Sequence, residues 1–147
     1  MKRKSSTGLR LNELIMTQGG HEQKVAPMRV KFAGPQRVEE RYHQGANTLS
    51  LDREYVVLEV YSRDDRNTRF RIEYSHLEHS ALFDSRLFSV TSTKIPPSWE
   101  FFMLESGSFS LRPAFWNRPG FWEAFYDHEP WALEAYEQEK AKILAAS

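Results

Sequence analysis

Twelve aromatic residues crowd into the stretch from Trp99 to Tyr136: Trp99, Phe101, Phe102, Phe109, Phe115, Trp116, Phe121, Trp122, Phe125, Tyr126, Trp131 and Tyr136. Removing such a ring from water is worth about 1.5–3 kcal/mol. So many rings cannot share one thin surface, and most must form the core that ties the end of the chain to whatever precedes it. Any ring left outside becomes a candidate anchor for a partner, because Trp and Tyr often dominate binding energy.

What precedes is patterned as strand. Met28-Arg29-Val30-Lys31-Phe32 alternates apolar and basic residues, and Gly34-Pro35 breaks it. Tyr55–Tyr61 is rich in β-branched and aromatic residues. In Thr68–Ser75, Phe70, Ile72 and Tyr74 point one way while Arg69, Arg71 and Glu73 point the other. The polar run Arg63-Asp64-Asp65-Arg66-Asn67 suits a turn between them, which predicts a hairpin with one buried face and one wet face. A further strand is expected at Leu87–Thr91. Trp99–Leu104 and Phe109–Arg112 then flank Glu105-Ser106-Gly107-Ser108 as a second hairpin, with glycine supplying the positive φ. Pro96-Pro97 separates that hairpin from the strand before it.

Beyond Pro113 the pattern turns helical. Pro119-Gly120 reads as a turn, Phe121–Tyr126 as one or two helical turns, and a longer helix runs from Pro130 to about Leu144. Asp127 and Glu129 lie near its positive end. Leu133, Tyr136, Ile143 and Leu144 form its apolar stripe, interrupted by Lys140. Strands first and helices last is an α+β layout: an antiparallel sheet of hairpins with C-terminal helices packed on it. The expected organisation is a partly flexible basic segment over residues 1–20 and a single domain over 21–147. Leu9, Leu11, Leu14 and Ile15 are the only apolar cluster of that first segment.

The formal net charge is zero across 147 residues, yet it is unevenly spread. Residues 1–50 hold 9 basic and 4 acidic side chains, whereas residues 121–147 hold 2 and 6. A balanced total argues against a duplex-DNA binder, which needs a broad basic face. The acidic end suits a basic partner. With no cysteine there is neither a disulfide framework nor a thiolate metal site, and the reducing cytoplasm is the natural compartment. Met1-Lys2-Arg3-Lys4 is followed by no apolar run, and stretches such as Tyr55–Leu58 fall far short of the ~20 residues that span a bilayer, so neither a leader nor a membrane span is expected.

Reactive centres are hard to assemble. His76 and His79, with Asp84 nearby, are the best metal candidates, but the spacing is not HExxH and loop histidines explain it as well. Ser106-Gly107-Ser108 sits in a turn and is no nucleophile elbow. Asp64-Asp65 suits turn chemistry, while Glu123 and Asp127 suit the decoration of a solvated helix. There is no phosphate-binding loop. Lys2, Arg3, Lys4 and Arg10 lack the interleaved aromatics that stack single strands. The residues therefore predict a binding protein without enzyme activity, cofactor or metal.

One further pattern bears on the partner. Ile95-Pro96-Pro97-Ser98-Trp99, Gly107, Leu111-Arg112-Pro113, Trp116, Pro119-Gly120-Phe121-Trp122-Glu123, Pro130, Ala132 and Glu139 punctuate the last third of the chain. This run resembles bacterial immunity proteins encoded beside secreted polymorphic toxins. The resemblance implies a cytoplasmic protein that binds a cognate toxin domain and blocks its active site, often through an acidic face. In this chain that face would comprise Glu123, Asp127, Glu129, Glu134 and Glu137, positions the resemblance does not single out one by one. A structural subunit of a phage or secretion assembly, or a small metal-dependent enzyme using His76 and His79, are the alternatives.

Overall fold

A computed structural model describes residues 27–63, 67–74 and 80–145. The eight strands are β1 (Arg29–Phe32), β2 (Glu54–Val56), β3 (Glu59–Ser62), β4 (Thr68–Glu73), β5 (Ser80–Asp84), β6 (Phe88–Ser92), β7 (Trp99–Met103) and β8 (Phe109–Pro113). Two α-helices follow, α1 (Phe121–Tyr126) and α2 (Pro130–Ala145). The layout is α+β, with antiparallel strands first and helices last. No helix among the described residues is long and apolar enough to cross a membrane.

The strands form two sheets rather than one: β2-β1-β6 and β5-β4-β3-β8-β7. The single strand expected over Tyr55–Tyr61 is in fact β2 and β3, which belong to different sheets. The switch takes one peptide step. The Val57 N–H donates to Met28 O at 2.9 Å in the small sheet, and the Leu58 N–H donates to Arg71 O at 2.9 Å in the large one. Both side chains at this corner are buried, so the run stays apolar while its hydrogen bonds change partners. Strand β5 escapes the sequence pattern, since its buried residues Ser80, Phe83 and Asp84 do not alternate cleanly in polarity.

Val60, Phe70 and Phe83 sit opposite one another across β3, β4 and β5, on the face of the large sheet that meets the small one. Phe88 is the hub between the sheets, with its ring centroid 6.1 Å from Phe32, 6.1 Å from Phe70 and 6.4 Å from Phe83. The expected β3–β4 hairpin is present, but its second face is not wet. Arg71 and Glu59 are buried there beneath the helices, at 4% and 1% exposure. Helices cover that face because a second aromatic cluster holds them down. Trp116, in the 3-10 turn Ala114–Asn117, stacks on Tyr136 at 5.3 Å and meets Trp122 edge-on at 5.5 Å.

The buried stripe of α2 is Ala132, Ala135, Tyr136 and Ile143. Leu144, expected on it, is half exposed. Lys140 does not interrupt the stripe. Its ammonium reaches Glu73 of β4 at 3.2 Å and so seats the helix over the sheet.

Helix α1 begins after Gly120, whose φ of 79° suits glycine, and ends in a Schellman motif. The Glu129 N–H donates to Ala124 O at 3.0 Å, the His128 N–H to Phe125 O at 3.0 Å, and His128 takes φ 60°. A side chain in that left-handed region is strained. We expect His128→Gly to stabilise the fold by about 0.5–1 kcal/mol, read as a melting temperature higher by ~2–4 °C. His128→Ala keeps the Cβ and should show no such gain. Equal melting temperatures for the glycine variant and the parent would contradict this account of the cap.

Candidate functional site

Two of the depressions among the described residues are wide and open. The first, about 530 Å³, is lined by Phe32, Gly34, Pro35, Gln36, His43, Ala46, Asn47, Leu49 and Leu51. Its one titratable side chain, His43, holds its Nε2 2.8 Å from Val38 O, so this hollow assembles no acid–base pair.

The second depression, about 750 Å³, lies where α1 turns into α2 and is lined by Pro119, Gly120, Glu123, Ala124, Tyr126, Asp127, Glu129 and Trp131. It gathers three of the five acidic positions singled out from the sequence: Glu123, Asp127 and Glu129. The Schellman turn causes this by folding the start of α2 back beside α1. Glu134 is exposed on α2, one turn beyond Trp131 and off the rim of the hollow. Glu137 is half exposed and lies 3.3 Å from Lys140, an ammonium it shares with Glu73. Three of the five carboxylates therefore gather at this hollow, and Glu134 and Glu137 are not among its lining.

Two aromatic rings share the hollow, Tyr126 at 51% exposure and Trp131 at 44%. The sequence marked both only as members of the aromatic run. The Trp131 indole N–H donates to Glu129 Oε1 at 2.8 Å, which fixes ring and carboxylate together. Tyr126 is held from below. Its hydroxyl accepts from an Arg71 Nη at 2.9 Å and donates to Ser80 O at 3.0 Å.

Arg71 belongs to a buried ionic network between sheet and helices. The Glu59 carboxylate accepts from Arg71 Nε at 2.7 Å and meets an Arg112 Nη at 3.1 Å. The Arg71 guanidinium lies 3.6 Å from the centroid of the Trp122 ring, and the two charges of the pair sit in a setting that water does not reach. Alongside, the Tyr136 hydroxyl donates to a Glu73 oxygen at 2.6 Å. Burial, reinforced by that carboxylate, pushes the Tyr136 hydroxyl well above the ordinary tyrosine range, so it remains a donor.

The metal candidates fare differently. His76, His79 and the turn acids Asp64 and Asp65 lie outside the described residues, as does the basic segment 1–20. Asp84 is committed elsewhere, accepting from the Arg86 backbone N–H at 2.9 Å and from Asn67 at 2.9 Å. Burial raises its carboxyl pKa, but the Arg86 and Asn67 contacts outweigh that and hold it below the ordinary aspartate value. Among the described residues no three His, Asp or Glu side chains are grouped as metal ligands.

Comparison of the chain with family models, with curated proteins and with solved structures gives no match.

Proposed function

We propose that this chain is a binding protein that docks a basic protein domain on the acidic–aromatic hollow between α1 and α2. On the resemblance of the last third, we take that domain to be a secreted toxin whose active site is occluded in the cytoplasm. The observation that carries the reading is the joint placement of Glu123, Asp127 and Glu129 around the exposed rings of Tyr126 and Trp131. An arginine or lysine side chain can lie on such a ring while carboxylates beside it supply the opposite charge. Because the Tyr126 hydroxyl is already held by Arg71 and Ser80, little ring entropy is lost on docking. Exposed aromatics held in that way are the usual centre of a binding hot spot.

The test is co-expression with a candidate basic toxin domain, with growth rescue and salt-dependent affinity as readouts. Glu123 and Asp127 are both exposed, and circular dichroism checks that the reversed variant remains folded. We expect Glu123→Lys with Asp127→Lys to weaken binding by about 100-fold at low salt and to abolish rescue. Full rescue by a variant with all five carboxylates reversed would refute the acidic-face reading.

A further inference from the structure

Among the described residues the large sheet ends on β7, and this edge is lightly protected, with Glu100 its one charged side chain. Residues 99–108 contain no lysine, arginine or proline to discourage strand addition. Instead Phe101, Met103 and Leu104 stand 57%, 61% and 60% exposed. Phe101 also lies 5.6 Å from Phe109, which extends the apolar strip across the hairpin.

The turn tells which backbone groups of β7 are free to pair. The Leu104 N–H donates to Ser108 O at 2.8 Å, and the Gly107 N–H donates to Leu104 O at 3.0 Å. Antiparallel ladders alternate, so Phe102 opposite Ser110 and Glu100 opposite Arg112 are the hydrogen-bonded pairs. The N–H and C=O groups of Phe101 and Met103 therefore point away from β8. Another strand supplies partners with that spacing.

We infer that β7 pairs antiparallel with β7 of a second copy, joining the two five-stranded sheets into one continuous sheet. A two-fold axis at Phe102 sets Phe101 against Met103 of the other copy. In that register each outward N–H and C=O of Phe101 and Met103 finds its complement. Glu100 then faces Leu104 of the second copy rather than another carboxylate, so no like charges oppose across the seam. With zero formal net charge, two copies approach without long-range repulsion. A foreign strand fills the same edge with no such built-in register. The contact is small, so the dimer is weak and concentration-dependent.

Sedimentation velocity on the full chain, from low micromolar to about 1 mM, tests this. We expect a monomer–dimer equilibrium with a dissociation constant of roughly 10–500 μM. Phe101→Lys and Met103→Glu should each weaken it by at least about tenfold, and mixing the two variants should restore it, because that register sets Lys against Glu. Leu51→Lys, at an exposed apolar site away from the edge, should change nothing, and circular dichroism should show every variant folded. A chain that stays monomeric to the highest concentration overturns the proposal. So does a dimer indifferent to both β7 changes in folded protein.

Discussion

Replacing Glu59 by leucine should destabilise the fold by about 3–5 kcal/mol, the usual loss when one partner of a buried ion pair is removed. The cause is what remains. The Arg71 side chain is 5% exposed and cannot turn to water, and Arg112 at 17% can do so only in part. Two guanidinium groups that shared one carboxylate would face each other beneath the helices. In urea the unfolding midpoint should fall by more than about 1 M, taking a slope of ~1–3 kcal/mol/M. The double change Glu59→Leu with Arg71→Met should lose less than Glu59→Leu alone, because it removes the stranded charge and leaves Arg112 its own route outward. If the double variant is the less stable of the two, Arg71 stabilises the fold even without its partner and the stranded-charge account is wrong. The same single change should loosen Tyr126, whose hydroxyl depends on Arg71, and so weaken docking at the hollow.

The second large effect is expected at Trp116. Fully buried, it touches Tyr136 of α2 and both Phe121 and Trp122 of α1, so one side chain holds both helices. Trp116→Ala should lower stability by about 3–5 kcal/mol through lost burial and the cavity it leaves. Its indole N–H finds no acceptor among the described residues. Trp116→Phe therefore removes a donor that contributes no hydrogen bond, and should cost less than half as much as alanine. Equal losses for phenylalanine and alanine would mean the indole N–H is bonded after all. Near-ultraviolet circular dichroism and urea titration of the three proteins measure both points.

Much of this was legible in the residues. Alternation in Thr68–Glu73, the glycine in Glu105-Ser106-Gly107-Ser108 and the proline opening α2 mark elements that form where local chemistry puts them. Even the Glu59–Arg71 pair was latent. A turn centred on residue 65 sets Glu59 opposite Arg71, as the β3–β4 register has it. The pair was missed because an arginine on an alternating strand reads as solvent-facing, and nothing nearby in sequence announces the helices that cover it. The five acidic positions were legible as residue types on or beside the helices, but not which of them share a hollow.

Local patterning by itself determined the strand-then-helix order, the second hairpin, the helix bounds and an aromatic core, in which Trp99, Trp116, Phe121, Phe125 and Tyr136 are buried, because backbone geometry and apolar periodicity act over a few residues. Tertiary structure alone decided that Val57 and Leu58 divide one apolar run between two sheets, that the far face of the large sheet is an ionic layer, and that Glu123, Asp127 and Glu129 meet Tyr126 and Trp131 while Glu137 turns to Lys140. Those outcomes depend on which distant surfaces exclude water from which side chains. That is a property of the assembled layers, and no short window of sequence carries it.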